Sequence, residues 1–241
     1  MPNWVFNHLS ISGDADQIEK VKNQLNQPIE KTYFNREKNE NEVVKYSNPI
    51  FSLWNIVAPP EDKLEQYFET NGSRKNPETG EIEMTGQSEW NWYQFNNREW
   101  GTKWDVAVSD GTMYSDTSLE EDGSNYLRYR FDTAWSPPMS AIQKLSEQYP
   151  ELTITIEYEE EQGWGGEIEL LNGVETVLRE WDIPDSHADY VALDREDSCS
   201  CAHNEDQDDW YDDCPGKDKP IEIFASRDVI VTKDTENTLT P

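Results

Sequence analysis

Residues 152–181 constrain the fold most. LTITIEY alternates apolar and polar side chains over 152–158, the period of a strand with one buried face. QGWGG turns the chain back, and two further runs, 167–171 and 176–181, are joined at Asn172-Gly173, a hairpin dipeptide. Three consecutive strands of this kind commit the region to an antiparallel sheet whose apolar face needs a covering layer.

The rest of the chain supplies strands and helices to complete that arrangement. Residues 4–12 alternate as a strand, Gly13 and Asp14 punctuate, and Asp14 is placed to cap a helix carrying Ile18, Val21 and Leu25 on one stripe. Residues 30–48 are polar and read as a surface insertion. An apolar run over 51–57 ends at Pro59 and Pro60, and a helix starting at Glu61 has Leu64, Tyr67 and Phe68 as its inner face. Residues 71–88 read as a hairpin or a flexible flap. Runs 105–112 and 126–133 read as paired strands, the second with Tyr126, Arg128 and Arg130 on one face and Leu127, Tyr129 and Phe131 on the other. Ser136, Pro137 and Pro138 suit a helix entry before the stripe Ile142, Leu145 and Tyr149. The order β α, insertion, β β α β is that of an α+β ferredoxin-like split βαβ sandwich with an antiparallel sheet and surface insertions. The expected organisation is such a domain over 1–181, with insertions at about 30–48 and 71–88. An acidic extension follows over 182–220, and then a strand-like tail over 221–241 that would add an edge strand.

Fifty acidic residues stand against twenty basic ones, a formal charge of −30. The surplus is uneven: 24 acids and 14 bases in residues 1–150, 22 and 4 in 151–220, 4 and 2 in the last 21. Direct binding to nucleic-acid phosphates is excluded by that sign, and the expected partner is a basic protein. Duplex DNA carries one charge per about 1.7 Å, so the −18 of residues 151–220 corresponds to roughly 30 Å of duplex, enough to mimic it in a cleft. Acids that merely solvate a surface are the plainer alternative. Aromatic residues make up 12% of the chain, far from the composition of a disordered acidic tail. No run approaches the length of a membrane span and MPNWVFNHLS is not a secretory leader, so an intracellular location is expected, with no membrane partner.

Two phrases carry candidate chemistry. WNWYQFNNREWGTKWD holds Trp90, Trp92, Trp100 and Trp104, rings too large to leave exposed together. With Lys103, Asp105, Asp132, Trp135 and Ser136, Trp100 and Trp104 mix stacking surfaces with polar groups as a ligand pocket does; indoles covering one face of a sheet are the competing reading. The second phrase, DSCSCAHNEDQDDWYDDCP, places Cys199, Cys201, His203 and Cys214 as a Cys₃His set for one structural zinc ion, with His187 as a substitute ligand. Free thiols are the alternative, and His8 reads as a sheet histidine. The acids around the set, Asp194, Glu196, Asp197, Glu205, Asp206, Asp208, Asp209, Asp212 and Asp213, are the expected partner-binding surface. No nucleophile–base phrase, phosphate loop or dinucleotide fingerprint occurs, and no catalytic residue is assigned.

MPNW with Asn7, a first strand ending in SG, WGTKWD, YRFDTAWSPP and TITIEYEEEQGWGG, in this order, resemble the YubB-type ferredoxin-like domain family of phage and plasmid proteins over about residues 1–181. The resemblance implies the fold, a mobile-element origin and hence a cytoplasmic location in the infected or plasmid-carrying host, and brings no catalytic residues. Val5 and Phe6 depart from the pattern at the edge of the first strand. The resulting expectation is a noncatalytic accessory protein that holds a basic host or defence protein on an acidic surface, as a nucleic-acid mimic. The alternatives are a small-molecule-binding or enzymatic domain built on the tryptophans, and a metal-stabilised scaffold.

Overall fold

The computed structural model describes residues 3–35, 40–68, 73–75, 78–84, 88–106, 117–184 and 187–193. β1 (Trp4–Ser12) buries Val5, Asn7, Leu9 and Ile11 and turns the alternate residues outward. The Asp14 carboxylate accepts a bond from the Asp16 amide and so caps α1 (Ala15–Leu25), whose buried residues are Ile18, Val21 and Leu25. After a long excursion the chain returns as β6 (Ser118–Asp122) and β7 (Tyr126–Ala134). Then come α4 (Met139–Gln148), entered through Pro138, and the three strands β8 (Thr153–Glu160), β9 (Gly165–Leu171) and β10 (Val174–Trp181).

These strands form one sheet in the order β10-β9-β8-β1-β7-β6, every neighbouring pair antiparallel. With β1, β6, β7 and β8 as the four strands of a βαββαβ unit, the order is 4-1-3-2, the split βαβ arrangement, and β9 and β10 extend it at the β8 edge. The helices share one core with the inward faces of the strands. Ile18, Val21 and Leu25 of α1 and Ala141, Ile142 and Leu145 of α4 pack with Leu9, Ile11, Leu127, Phe131, Ile154 and Ile156.

The excursion between α1 and β6 holds the insertions. The polar stretch expected on the surface is a hairpin, β2 (Ile29–Asn35) with β3 (Glu40–Tyr46), and a second short hairpin pairs β4 (Ser73–Lys75) with β5 (Ile82–Met84). Between them the apolar run is a single 3₁₀ turn, Leu53–Asn55, that drives Phe51 and Leu53 into the core, where Phe51 stacks on Phe131 at 4.7 Å. The helix expected from Glu61 is a 3₁₀ turn, Glu61–Lys63, running into α2 (Leu64–Phe68), of which Tyr67 is buried. α3 (Trp92–Glu99) was not legible in the tryptophan-rich phrase; Asn91 caps it by accepting from the Gln94 amide, and Phe95 and Asn96 are its buried face.

The expected strand over 105–112 is not found where it can be followed. Asp105 and Val106 are irregular, held by bonds to the Asp105 carboxylate, and residues 107–112 lie outside the described residues. The strand that pairs with β7 at this edge is the more charged β6. A last helix, α5 (His187–Ala192), follows β10. The tail over 221–241 lies outside the described residues.

Candidate functional site

The sheet ends β7 at Ala134, and the next residue, Trp135, has φ of 75°, a left-handed conformation that a large side chain adopts only at a cost of about 1–2 kcal/mol. A net of hydrogen bonds holds it there. The Trp135 amide donates to the Asn3 carbonyl at 2.9 Å, the Thr133 hydroxyl to the Ser136 carbonyl at 2.8 Å, and the Ser136 hydroxyl to the Gly101 carbonyl at 2.6 Å. The loop after α3 is tied to the same strand end, because the buried Thr102 hydroxyl donates to the Ala134 carbonyl at 2.9 Å. Buried Asn96 donates to the Lys103 carbonyl at 2.8 Å and so fixes the residue that follows Thr102.

These ties bring Lys103, Trp104 and Trp135 together at the surface. The Lys103 ammonium lies 4.5 Å from the centre of the Trp104 ring and 4.1 Å from that of Trp135, a cation held by two indole faces. Trp104 and Trp135 remain 36% and 45% exposed, and Trp4 on the outward side of β1 approaches Trp104 at 6.2 Å between ring centres. The tryptophans therefore divide. Trp100 is 1% exposed and belongs to the core, its indole N–H donating to the Val57 carbonyl at 2.8 Å; Trp104 and Trp135 belong to the surface cluster. Trp4 was missed in the sequence, although its outward position in the alternation of β1 was the available signal.

The polar members of the expected pocket divide as well. Asp105 turns inward: its carboxylate meets Lys31 at 2.5 Å and accepts from the Ser52 hydroxyl at 2.7 Å and the Leu53 and Val106 amides at 2.8 Å each. It anchors β2 and the 3₁₀ turn and is not available to a ligand at the indoles. Asp132 is buried, opposite Phe6 in the register of β1 and β7.

A second feature lies on the other half of the sheet. From Glu151 to Asp182 the chain carries ten acidic residues and one basic one, Arg179. Glu157 on β8 and Glu167 on β9 are register partners on the outward face, a like-charge pairing that works against the fold. Arg179 offsets it by meeting Glu157 at 2.9 Å and Glu167 at 2.8 Å while its guanidinium lies 5.3 Å from the Trp181 ring centre. Glu169 continues the outward row opposite Thr155. On the opposite face, burial, and then the Glu180 and Glu175 carboxylates, push the Tyr158 phenol up to about 12. Glu160 is a turn element, buried and accepting from the Gln162 amide at 2.6 Å.

Cys199, Cys201, His203 and Cys214 lie outside the described residues, as do Asp194, Glu196, Asp197, Glu205, Asp206, Asp208, Asp209, Asp212 and Asp213. His187 opens α5. Among the described residues no group of three or more His, Cys, Asp or Glu could hold a metal ion. His8 faces outward from β1, its Nδ1 3.3 Å from a Glu120 oxygen that Arg128 also approaches at 3.3 Å. No helix among the described residues is long and apolar enough to cross a membrane.

Residues 103–201 match the family model described as "Ferredoxin-like domain in Api92-like protein". The fold is ferredoxin-like. The matched stretch begins at Lys103 and contains Trp104, Trp135 and all of β6 to β10. Among solved structures, the crystal structure of a protein api92 from Yersinia pseudotuberculosis is 12% identical, with 72% of this chain and 95% of that chain covered and a TM-score of 0.40. A search of the curated proteins finds no match.

Proposed function

We propose that this chain is a noncatalytic accessory protein of a phage or plasmid that binds a basic host protein, a defence component included, through an acidic surface that stands in for nucleic acid. The observation that carries the reading is the β8–β10 half of the sheet, where Glu157, Glu167 and Glu169 line the outward face and one arginine serves the whole stretch. Arg179 bridges Glu157 and Glu167, and with Glu169 the outward row still carries net negative charge on one face. The acids of 194–213 and a zinc ion on Cys199, Cys201, His203 and Cys214 belong to the same proposal, as an extension of that surface. The host cytoplasm is the proposed location.

Capture from nuclease-treated lysate at moderate salt tests the reading. Wild-type protein is expected to retain a basic, nucleic-acid-binding protein in stoichiometric amount, and the E157Q/E167Q/E169Q variant, folded by circular dichroism, to lose most of it. Equal recovery on both proteins would overturn the proposal. A second reading, a small-molecule site at Trp104 and Trp135, is favoured by the exposure of both indoles. Quenching of tryptophan fluorescence by a metabolite extract freed of protein would favour it over the first.

A further inference from the structure

We infer that the Trp104–Trp135 pair is a clamp for an arginine side chain of the basic partner, occupied in the free protein by the chain's own Lys103. The inference rests on the acidic-surface reading and supplies its anchor. Lys103 shows that the space between the two rings accepts a cation, since its ammonium sits 4.5 and 4.1 Å from their centres. The rings are placed by hydrogen bonds at the strand end and not by the core: Trp135 keeps a left-handed φ of 75°, Thr102 and Ser136 tie the two segments together, and Asn96 fixes the Lys103 carbonyl. Both rings stay more than one third exposed with Lys103 in place, so each has surface left to bury against a partner.

Arginine is the better occupant for a physical reason. A guanidinium is planar, weakly hydrated and stacks flat on an indole, whereas an ammonium is compact and strongly hydrated. Lys103 can therefore return to water at little cost when a guanidinium takes its place. Tryptophan and arginine are also the side chains that most often dominate binding energy at interfaces. A chain of formal charge −30 draws arginine-rich surfaces from solution, and the clamp would then favour arginine over lysine where charge alone cannot.

The test titrates the full chain with hexa-arginine and hexa-lysine peptides of equal charge, following the indole N–H resonances of Trp104 and Trp135. Hexa-arginine is expected to bind about three- to tenfold more tightly and to shift both resonances. W135G, which removes the ring and suits the left-handed backbone, is expected to abolish the preference while leaving binding to both peptides. W104A provides the same readout from the other ring. In contrast, E157Q/E167Q/E169Q is expected to weaken both peptides alike and keep the preference. Equal binding of the two peptides with both resonances unmoved would overturn the clamp and leave the acidic-surface reading standing. No binding of either peptide would overturn both.

Discussion

At the scale of single residues, the buried Lys31–Asp105 pair is the clearest case of a polar group spent on structure. Both side chains are about nine-tenths buried, and the carboxylate also receives Ser52 and the Leu53 and Val106 amides. Asp105→Ala strands the Lys31 ammonium and is expected to lower unfolding free energy by about 3–5 kcal/mol in urea titration; adding Lys31→Met is expected to restore most of the loss. A double variant as unstable as the single would contradict this. In the sequence, Asp105 beside Trp104 looked like a pocket residue, because adjacency in the chain does not say which way a side chain turns in an irregular loop. Trp135 was legible as a candidate, yet its left-handed backbone was not, since only the bond of its amide to the Asn3 carbonyl and those donated by the Thr133 and Ser136 hydroxyls impose it. Trp100 and Trp104, four residues apart in one phrase, could not be sorted into core and surface without the loop that separates them.

At the scale of elements, legibility followed period. β1, α1, β7, α4, β8 and β9 each bury one regular face, and their alternation or stripe can be read directly, whereas β10 buries only Trp181 and is legible from the hairpin dipeptide before it. α3 could not be, because its aromatic and asparagine residues are poor helix formers and its stability comes from packing and from Tyr67 donating to Asn96 at 2.9 Å. β6 escaped notice because a charged edge strand buries too little to show a period. The β9–β10 turn is legible for a reason that can be tested: Asn172 and Gly173 have φ of 51° and 72°. Gly173→Ala is expected to cost about 1 kcal/mol or more by thermal melting, both from that backbone and from a Cβ 2.5 Å from Glu147 Cγ, while Asn172→Gly costs little. Equal melting temperatures for the two would contradict the turn assignment.

Two carboxylates on different elements should respond to pH in opposite senses. Burial works to raise Glu99, but its bonds and attraction to Lys144 and Arg98 outweigh this and hold it below the usual carboxylate range. Its contribution is therefore fully present above the unfolded value, near 4.3, and is lost as pH falls through the lower folded value. Burial raises Glu175, so that residue penalises the folded state above its folded pKa and ceases to do so on acidification. At neutral pH, Glu99→Gln is expected to lower the melting temperature and Glu175→Gln to raise it, with both differences shrinking as the solution is acidified. Differences that stay constant with pH would contradict the assignment.

At the scale of the whole molecule, charge and aromatic surface occupy different parts of one sheet. The β8–β10 half concentrates acid, and the end of β7 carries the exposed indoles with Lys103. The charge surplus was legible from composition; its placement on the outward face of a specific strand pair needed the register of Glu157 against Glu167. The proposed zinc ion is checked by metal analysis of purified protein. One zinc per chain is expected in the wild type and a loss of most of it in Cys201→Ser; an equal content in both would remove the site. Competition for the captured basic partner tests the central claim most directly, with duplex DNA titrated against this protein on it. The account expects mutually exclusive binding, DNA releasing the protein and the protein releasing DNA. A stable ternary complex, with the protein still bound at saturating DNA, would contradict it.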